Sequence, residues 1–174
     1  MKIAYTMAPG RGGTDLLLAG LAGRLQVQGL RTCGTVQTNS RPCDDGRCDM
    51  DVKVLPDGPV LRISQSLGRN ARGCRLDPDA LERAVAHARA ALAGGADLVI
   101  VNKFGKHEAE GRGFRELIAD ALEAGIPVLV GLNPTNEAAF DDFTGGIATQ
   151  LPPDHEALVK WFESGRALAA QPAG

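Results

Sequence analysis

Lys2-Ile3-Ala4-Tyr5-Thr6-Met7-Ala8-Pro9-Gly10-Arg11-Gly12-Gly13-Thr14-Asp15 is the stretch that decides the fold. Lys2 to Thr6 is short and apolar in alternation, and Pro9 to Gly13 follows directly, so a buried strand enters a tight turn. Leu16, Leu17, Leu18, Leu21 and Leu25 then recur at helical spacing. Thr14 or Asp15 caps this helix or occupies its first turn, and Gly29 closes the pattern.

Working outward, residues 31–38 read as a second strand. Residues 50–55 and 59–64 flank Pro56-Asp57-Gly58 as an antiparallel hairpin, an insertion in a chain that otherwise alternates. Asp77-Pro78 opens a helix with Asp at the cap and Pro in the first turn, running to Gly94-Gly95. Leu98-Val99-Ile100-Val101 is apolar throughout, as a central parallel strand buried on both faces must be. The spacing further predicts helices over 114–124, 136–142 and 154–170, and strands over 127–131 and 147–151. This alternation implies an α/β fold, a three-layer, mostly parallel sheet with a β-hairpin insertion around residues 50–64. Residues 1–174 are expected to form one domain.

The chain has 174 residues, of which 44% are hydrophobic and 23% charged, enough for a sizeable core. A net charge of -2 and a pI near 5.9 leave no basic footprint for DNA or RNA, so nucleic acid is not an expected partner. Residues 1–5 lack the basic and apolar regions of a signal peptide, and no run reaches about 18 apolar residues. A cytoplasmic protein with no membrane partner is the expectation. Apolar helix residues serve either the core or a homo-oligomer surface.

The glycine turn is close to a phosphate-binding pattern. G-x-x-x-x-G-K-[ST] cradles phosphates on backbone N–H groups and a helix N-terminus, with Lys neutralising charge and Ser/Thr holding Mg²⁺. Laid on that pattern, residues 7–14 keep Gly12 and Thr14 but have Met7 for the first glycine and Gly13 for the lysine. The backbone nest and helix dipole survive such losses, because they depend on conformation. Pro9, Gly10, Arg11, Gly12, Gly13, Thr14 and Asp15 are therefore candidate ligands for a phosphate or other oxyanion, with Arg11 a candidate for the missing cation. The alternative is a structural strand–helix turn without a ligand.

Open α/β sheets bind at the carboxyl ends of their strands, so Asn102 and Lys103, just after the apolar run, should face the same crevice, with Lys106 close behind. In a P-loop nucleoside-triphosphatase (NTPase) that place carries an acid for Mg²⁺. An amide and a cation there suit an anion that needs no Mg²⁺, and Lys103 can restore the charge lost at Gly13. The alternative is that Lys103 and Lys106 are solvated lysines pairing with Glu108 and Glu110.

Residues 96–115, from Ala96-Asp97 through Asn102-Lys103-Phe104-Gly105-Lys106-His107-Glu108 to Phe114-Arg115, resemble the hallmark of a bacterial family of unknown function. Cys48-Asp49-Met50-Asp51, Arg62-Ile63-Ser64-Gln65 and Arg72-Gly73-Cys74-Arg75-Leu76-Asp77 resemble further segments of it, and together these span nearly the whole chain. That family is similar to small P-loop NTPases and is often met beside molybdenum-transport genes. The resemblance implies a P-loop NTPase-like fold and a link to molybdate or tungstate.

Cys43-x4-Cys48, with Cys74 on a later loop, can gather three thiolates around a soft metal, or the thiols are simply reduced. Of the histidines, only His107 is placed to join the site. Residues 64–75 are rich in glycine and donors, and the resemblance favours Arg72 and Arg75 as anion ligands. Three functions follow. The first is a binder of a small anionic ligand, either molybdate or tungstate or a nucleotide with Mg²⁺, accessory to molybdenum handling. The second is an NTPase or kinase with relocated parts, in which Lys103 serves phosphate, Thr14 the Mg²⁺ and Glu108 or Glu110 the water. The third is a cysteine-based metal-binding or interaction module.

Overall fold

The computed structural model of the chain describes residues 2–38, 49–65 and 75–169. The strands are β1 (Ile3–Thr6), β2 (Thr32–Thr38), β3 (Asp51–Leu55), β4 (Val60–Arg62), β5 (Leu98–Val101), β6 (Val128–Gly131) and β7 (Thr149–Leu151). The helices are α1 (Gly13–Val27), α2 (Pro78–Leu92), α3 (Lys106–Ala109), α4 (Arg115–Glu123), α5 (Glu137–Thr144) and α6 (His155–Ala169). All seven strands form one sheet in the order β4-β3-β2-β5-β6-β1-β7. The five from β2 to β7 in that order run parallel, while β3 pairs antiparallel with β2 and with β4. The hairpin expected from its turn residues is present, and it extends one edge of the parallel sheet, a placement the sequence left open.

Burial on both faces makes the layers. On β5, Leu98 and Ile100 pack with Leu18, Leu21 and Leu25 of α1 and Leu158 and Phe162 of α6. Val99 and Val101 face the other way, towards Ala84 and Ala88 of α2 and Leu117 and Ile118 of α4. All four β5 side chains are fully buried. The outer layer holds together partly through Arg89 of α2, which reaches Glu116 at 2.5 Å and Asp120 at 2.9 Å on α4. These exposed pairs contribute little each.

Two local expectations differ from the structure. The helix expected from Asn136 starts as a 3-10 turn over Pro134–Asn136, because the Asn133 side chain accepts from the N–H of Asn136 at 3.2 Å and tightens the entry. The segment after β5 contains α3, one helical turn that the apolar period does not mark. Glu108 nucleates it, its buried carboxylate accepting from the N–H of Gly105 at 2.8 Å and of Phe114 at 3.1 Å. No helix among the described residues is long and apolar enough to cross a membrane.

Candidate functional site

The loop from Met7 to Gly12 joins the end of β1 to the start of α1, and its shape is set by two glycines. Gly10 and Gly12 both have φ of 78°, a left-handed conformation that L side chains resist. Gly12 is also the cap residue of α1, so no side chain caps the first turn. Its N–H groups point out of the helix end, the arrangement that favours an anion. The loop is closed by Thr14, whose Oγ1 accepts from the N–H of Ala8 at 2.9 Å. At Gly13, where a P-loop has lysine, an added Cβ would stand 3.3 Å from the Ala8 Cβ, tight but within reach of a small shift.

The opposite wall comes from the ends of β5 and β6. Asn102, only 4% exposed, uses both ends of its amide. Its Oδ1 accepts from the N–H of Gln37 at 2.9 Å, and its Nδ2 donates to Oδ1 of Asp15 at 2.8 Å. It thereby ties the ends of β2 and β5 to the first turn of α1. Gly131 lets β6 come this close, because a Cβ there would stand 2.0 Å from the Asn102 carbonyl oxygen. Lys103 follows, exposed, and among the described residues no carboxylate pairs with it. Its successor Phe104 is fully buried, with its N–H donating to the Gly131 carbonyl at 2.9 Å and its ring 5.1 Å from Phe140 and 5.6 Å from Phe143. Lys103 is therefore held between two fixed neighbours.

Between these walls lies a cavity of about 560 Å³, lined by Met7, Ala8, Pro9, Gly10, Arg11, Gly12, Thr14, Asp15, Asn102, Lys103, Gly131, Leu132, Asn133 and Pro134. The structure thus gathers Pro9, Gly10, Arg11, Gly12, Thr14, Asp15, Asn102 and Lys103 around one space, with Gly13 beside it as the first residue of α1. Leu132, Asn133 and Pro134 are lining residues that sequence reasoning missed. The available signal was their place just past the apolar run 127–131, at the carboxyl end of a parallel strand.

Other expected ligands stand elsewhere. Lys106 is on the outside of α3, outside the cavity lining, and pairs with Glu110 at 3.6 Å, because α3 turns it into solvent. His107 is on the same short helix and does not line the cavity. Arg75 lies near the hairpin, 3.6 Å from Asp49 and donating to the Gln65 carbonyl at 3.3 Å. Glu108, offered as a water-positioning acid, is occupied in shaping α3, Glu110 pairs with Arg112 at 2.6 Å, and neither lines the cavity. Arg112 and Lys106 hold the Glu110 carboxyl below its ordinary value. Arg72, Cys43, Cys48 and Cys74 lie outside the described residues. Cys33 is fully buried with its thiol donating to the Ala88 carbonyl at 3.1 Å, and burial pushes its pKa up. Among the described residues no group of three His, Cys, Asp or Glu side chains is placed to hold a metal.

The family described as "Protein of unknown function (DUF2478)" matches residues 3–161. A Bradyrhizobium diazoefficiens protein named "Molybdenum import ATP-binding protein ModC 2" is 38% identical over 148 residues, covering 85% of this chain. The chain spans only 16% of that relative's length. Among solved structures, the fold is similar to a human cancer-related nucleoside triphosphatase, with TM-score 0.59, 16% identity and full coverage of both chains. It is also similar to THEP1 from Aquifex aeolicus, with TM-score 0.61 and 16% identity over 98% of this chain and 100% of that one. At such identity the likeness is one of fold, and it gives the seven-stranded sheet a P-loop NTPase-like architecture.

Proposed function

This chain belongs to that family of unknown function, and from that premise we propose that it binds the phosphates of a nucleotide on a degenerate P-loop, without being built for hydrolysis. The observation that carries the reading is the cavity of about 560 Å³ between a helix end with two left-handed glycines and no side-chain cap and the exposed Lys103. Sites for ligands of this class run from about 300 to 1,000 Å³, far more than one tetrahedral oxyanion fills. Backbone N–H groups and the α1 dipole face the phosphates, Lys103 supplies the charge that Gly13 cannot, and Pro9, Gly10, Arg11, Gly12, Thr14, Asp15 and Asn102 complete the contact set. Binding is favoured over turnover because the strand end that carries an acid in P-loop NTPases carries the amide Asn102 here, and neither Glu108 nor Glu110 lines the cavity. A cytoplasmic location and a single unit over residues 1–174 go with this reading.

A second reading places molybdate or tungstate in the same cavity, as an accessory to molybdenum handling. What favours it is the name of the Bradyrhizobium relative and the general suitability of a nest plus a cation for any tetrahedral dianion. A thermal-shift screen with ATP, GTP, molybdate, tungstate, sulfate and phosphate, each with and without Mg²⁺, separates the two, since a ligand of the native state raises its apparent stability. Stabilisation by a nucleotide supports the first reading and stabilisation by an oxyanion alone the second. No shift with any of them sinks both.

A further inference from the structure

The loop and Lys103 account for negative charge on a ligand, but the cavity also contains a carboxylate. Asp15 lines it from the first turn of α1, half-buried, with Oδ1 held by the Asn102 amide at 2.8 Å. Among the described residues no Lys, Arg or His pairs with Asp15. A carboxylate has lone pairs for about four contacts, and one Asn102 donor leaves most of them open. A bare phosphate chain laid on this loop would meet Asp15 as a like charge in a partly desolvated space, where repulsion is stronger than in water.

We infer that the pocket takes its phosphate-bearing ligand as a complex with a divalent cation, Asp15 being the carboxylate that faces the cation while Lys103 and the loop face the phosphates. The proposal rests on the phosphate-binding reading above. P-loop NTPases hold such a cation partly through an acid at the end of a sheet strand. Here that place is Asn102, and the carboxylate in the cavity is instead Asp15, hydrogen-bonded to the Asn102 amide and next to Thr14 in the chain. The residues present therefore fit a hard, oxygen-seeking ion such as Mg²⁺, which needs only one or two protein carboxylates when phosphates supply the rest. The pairing of charges points the same way. The helix end, Arg11 and Lys103 favour negative charge and Asp15 favours positive, which suits a polyphosphate with a cation and leaves a lone oxyanion facing Asp15 as a like charge.

The test is calorimetric titration of the full chain with ATP, in Mg²⁺ and in EDTA, for the wild type and for Asp15→Asn. The substituted amide keeps an oxygen that accepts from Asn102 and removes only the charge. The expected result is that Mg²⁺ tightens ATP binding to the wild type by about tenfold or more, a tenth of the dissociation constant. In Asp15→Asn that gain disappears, and ATP in EDTA binds as well as, or better than, to the wild type. Equal wild-type affinity with and without Mg²⁺ overturns the proposal, and needs no variant to fold. So does an Asp15→Asn protein that retains the Mg²⁺ gain or loses both affinities in equal measure, which is the outcome for a merely structural Asp15. If the wild type binds no ATP in either condition, the phosphate reading itself has failed and this proposal goes with it.

Discussion

Asn102 and Asp15 are 87 residues apart in sequence and joined by one hydrogen bond of 2.8 Å, from the amide Nδ2 to the carboxylate Oδ1. That bond locks the first turn of α1 against the end of β5, and so fixes the distance between the glycine loop and Lys103. Asn102→Asp keeps an acceptor for the Gln37 N–H but replaces the donor with a buried carboxylate against the half-buried one of Asp15. Two such groups in contact cannot both ionise cheaply, so one folded-state pKa is raised above its unfolded value. The sign follows: the raised group favours folding at low pH, and stability is lost as pH rises through the folded pKa. Urea unfolding of Asn102→Asp should show a deficit against wild type that is larger at pH 8 than at pH 5, and a deficit independent of pH would count against the contact.

Lys103 should separate affinity from stability. It is exposed and unpaired among the described residues, so its removal leaves the core untouched. A charge-assisted hydrogen bond contributes about 1.5–3 kcal/mol, so Lys103→Ala is expected to weaken nucleotide binding by roughly 10- to 150-fold with little change in the unliganded melting temperature. Lys103→Glu should be worse still. Unchanged affinity in both variants would remove Lys103 from the site.

Two glycines make a matched pair for testing what the backbone demands. At Gly10 the φ is 78° but nothing lies within 4 Å of an added Cβ, so Gly10→Ala bears only the left-handed strain, about 1–2 kcal/mol. At Gly131 the added Cβ would stand 2.0 Å from the Asn102 carbonyl oxygen, and both are backbone-fixed parts of the sheet. Gly131→Ala should therefore fail to give soluble folded protein, or melt far lower than Gly10→Ala. A melting temperature close to wild type for Gly131→Ala would show that β6 can withdraw from β5.

How much of this was legible depended on whether the signal was local. Leu98 to Val101 announced a doubly buried strand, Pro56-Asp57-Gly58 announced a hairpin, and Asp77-Pro78 announced α2, where the Asp77 side chain does accept from the Ala80 N–H at 3.1 Å. Strand order was not legible, because β5 lies between β2 and β6 through contacts distant in sequence. The same limit hid Asn133 and Pro134, whose role needs the knowledge that β6 neighbours β1. That Lys106 stands outside the cavity lining was not legible, because a helix of one turn has no apolar period to read. Its only local mark is Gly105 followed three residues later by Glu108, the spacing of a capping interaction.

Cys33 should be chemically silent in the native protein. Its thiol is fully buried against Ala88, and burial raises its pKa, so the reactive thiolate is scarce at neutral pH. Iodoacetamide followed by peptide mass spectrometry should find Cys33 unmodified in buffer and modified in denaturant. Rapid native labelling would mean that β2 separates from α2 on the labelling timescale.

Gly13→Lys restores the lysine of the phosphate-binding pattern, and its effect should change sign with ligand. Gly13 is not at positive φ, and the only close neighbour of an added Cβ is the Ala8 Cβ at 3.3 Å, so a shift of a few tenths of an ångström admits the side chain. Without ligand the new cation opposes the positive end of the α1 dipole, at a cost of about 0.3–1 kcal/mol, and the melting temperature should fall slightly. With a nucleotide present the same charge meets the phosphates, and the ligand-induced rise in melting temperature should exceed that of wild type. A variant that is destabilised equally with and without nucleotide would mean that no phosphate lies beside the first turn of α1, and that the glycine loop is a structural turn.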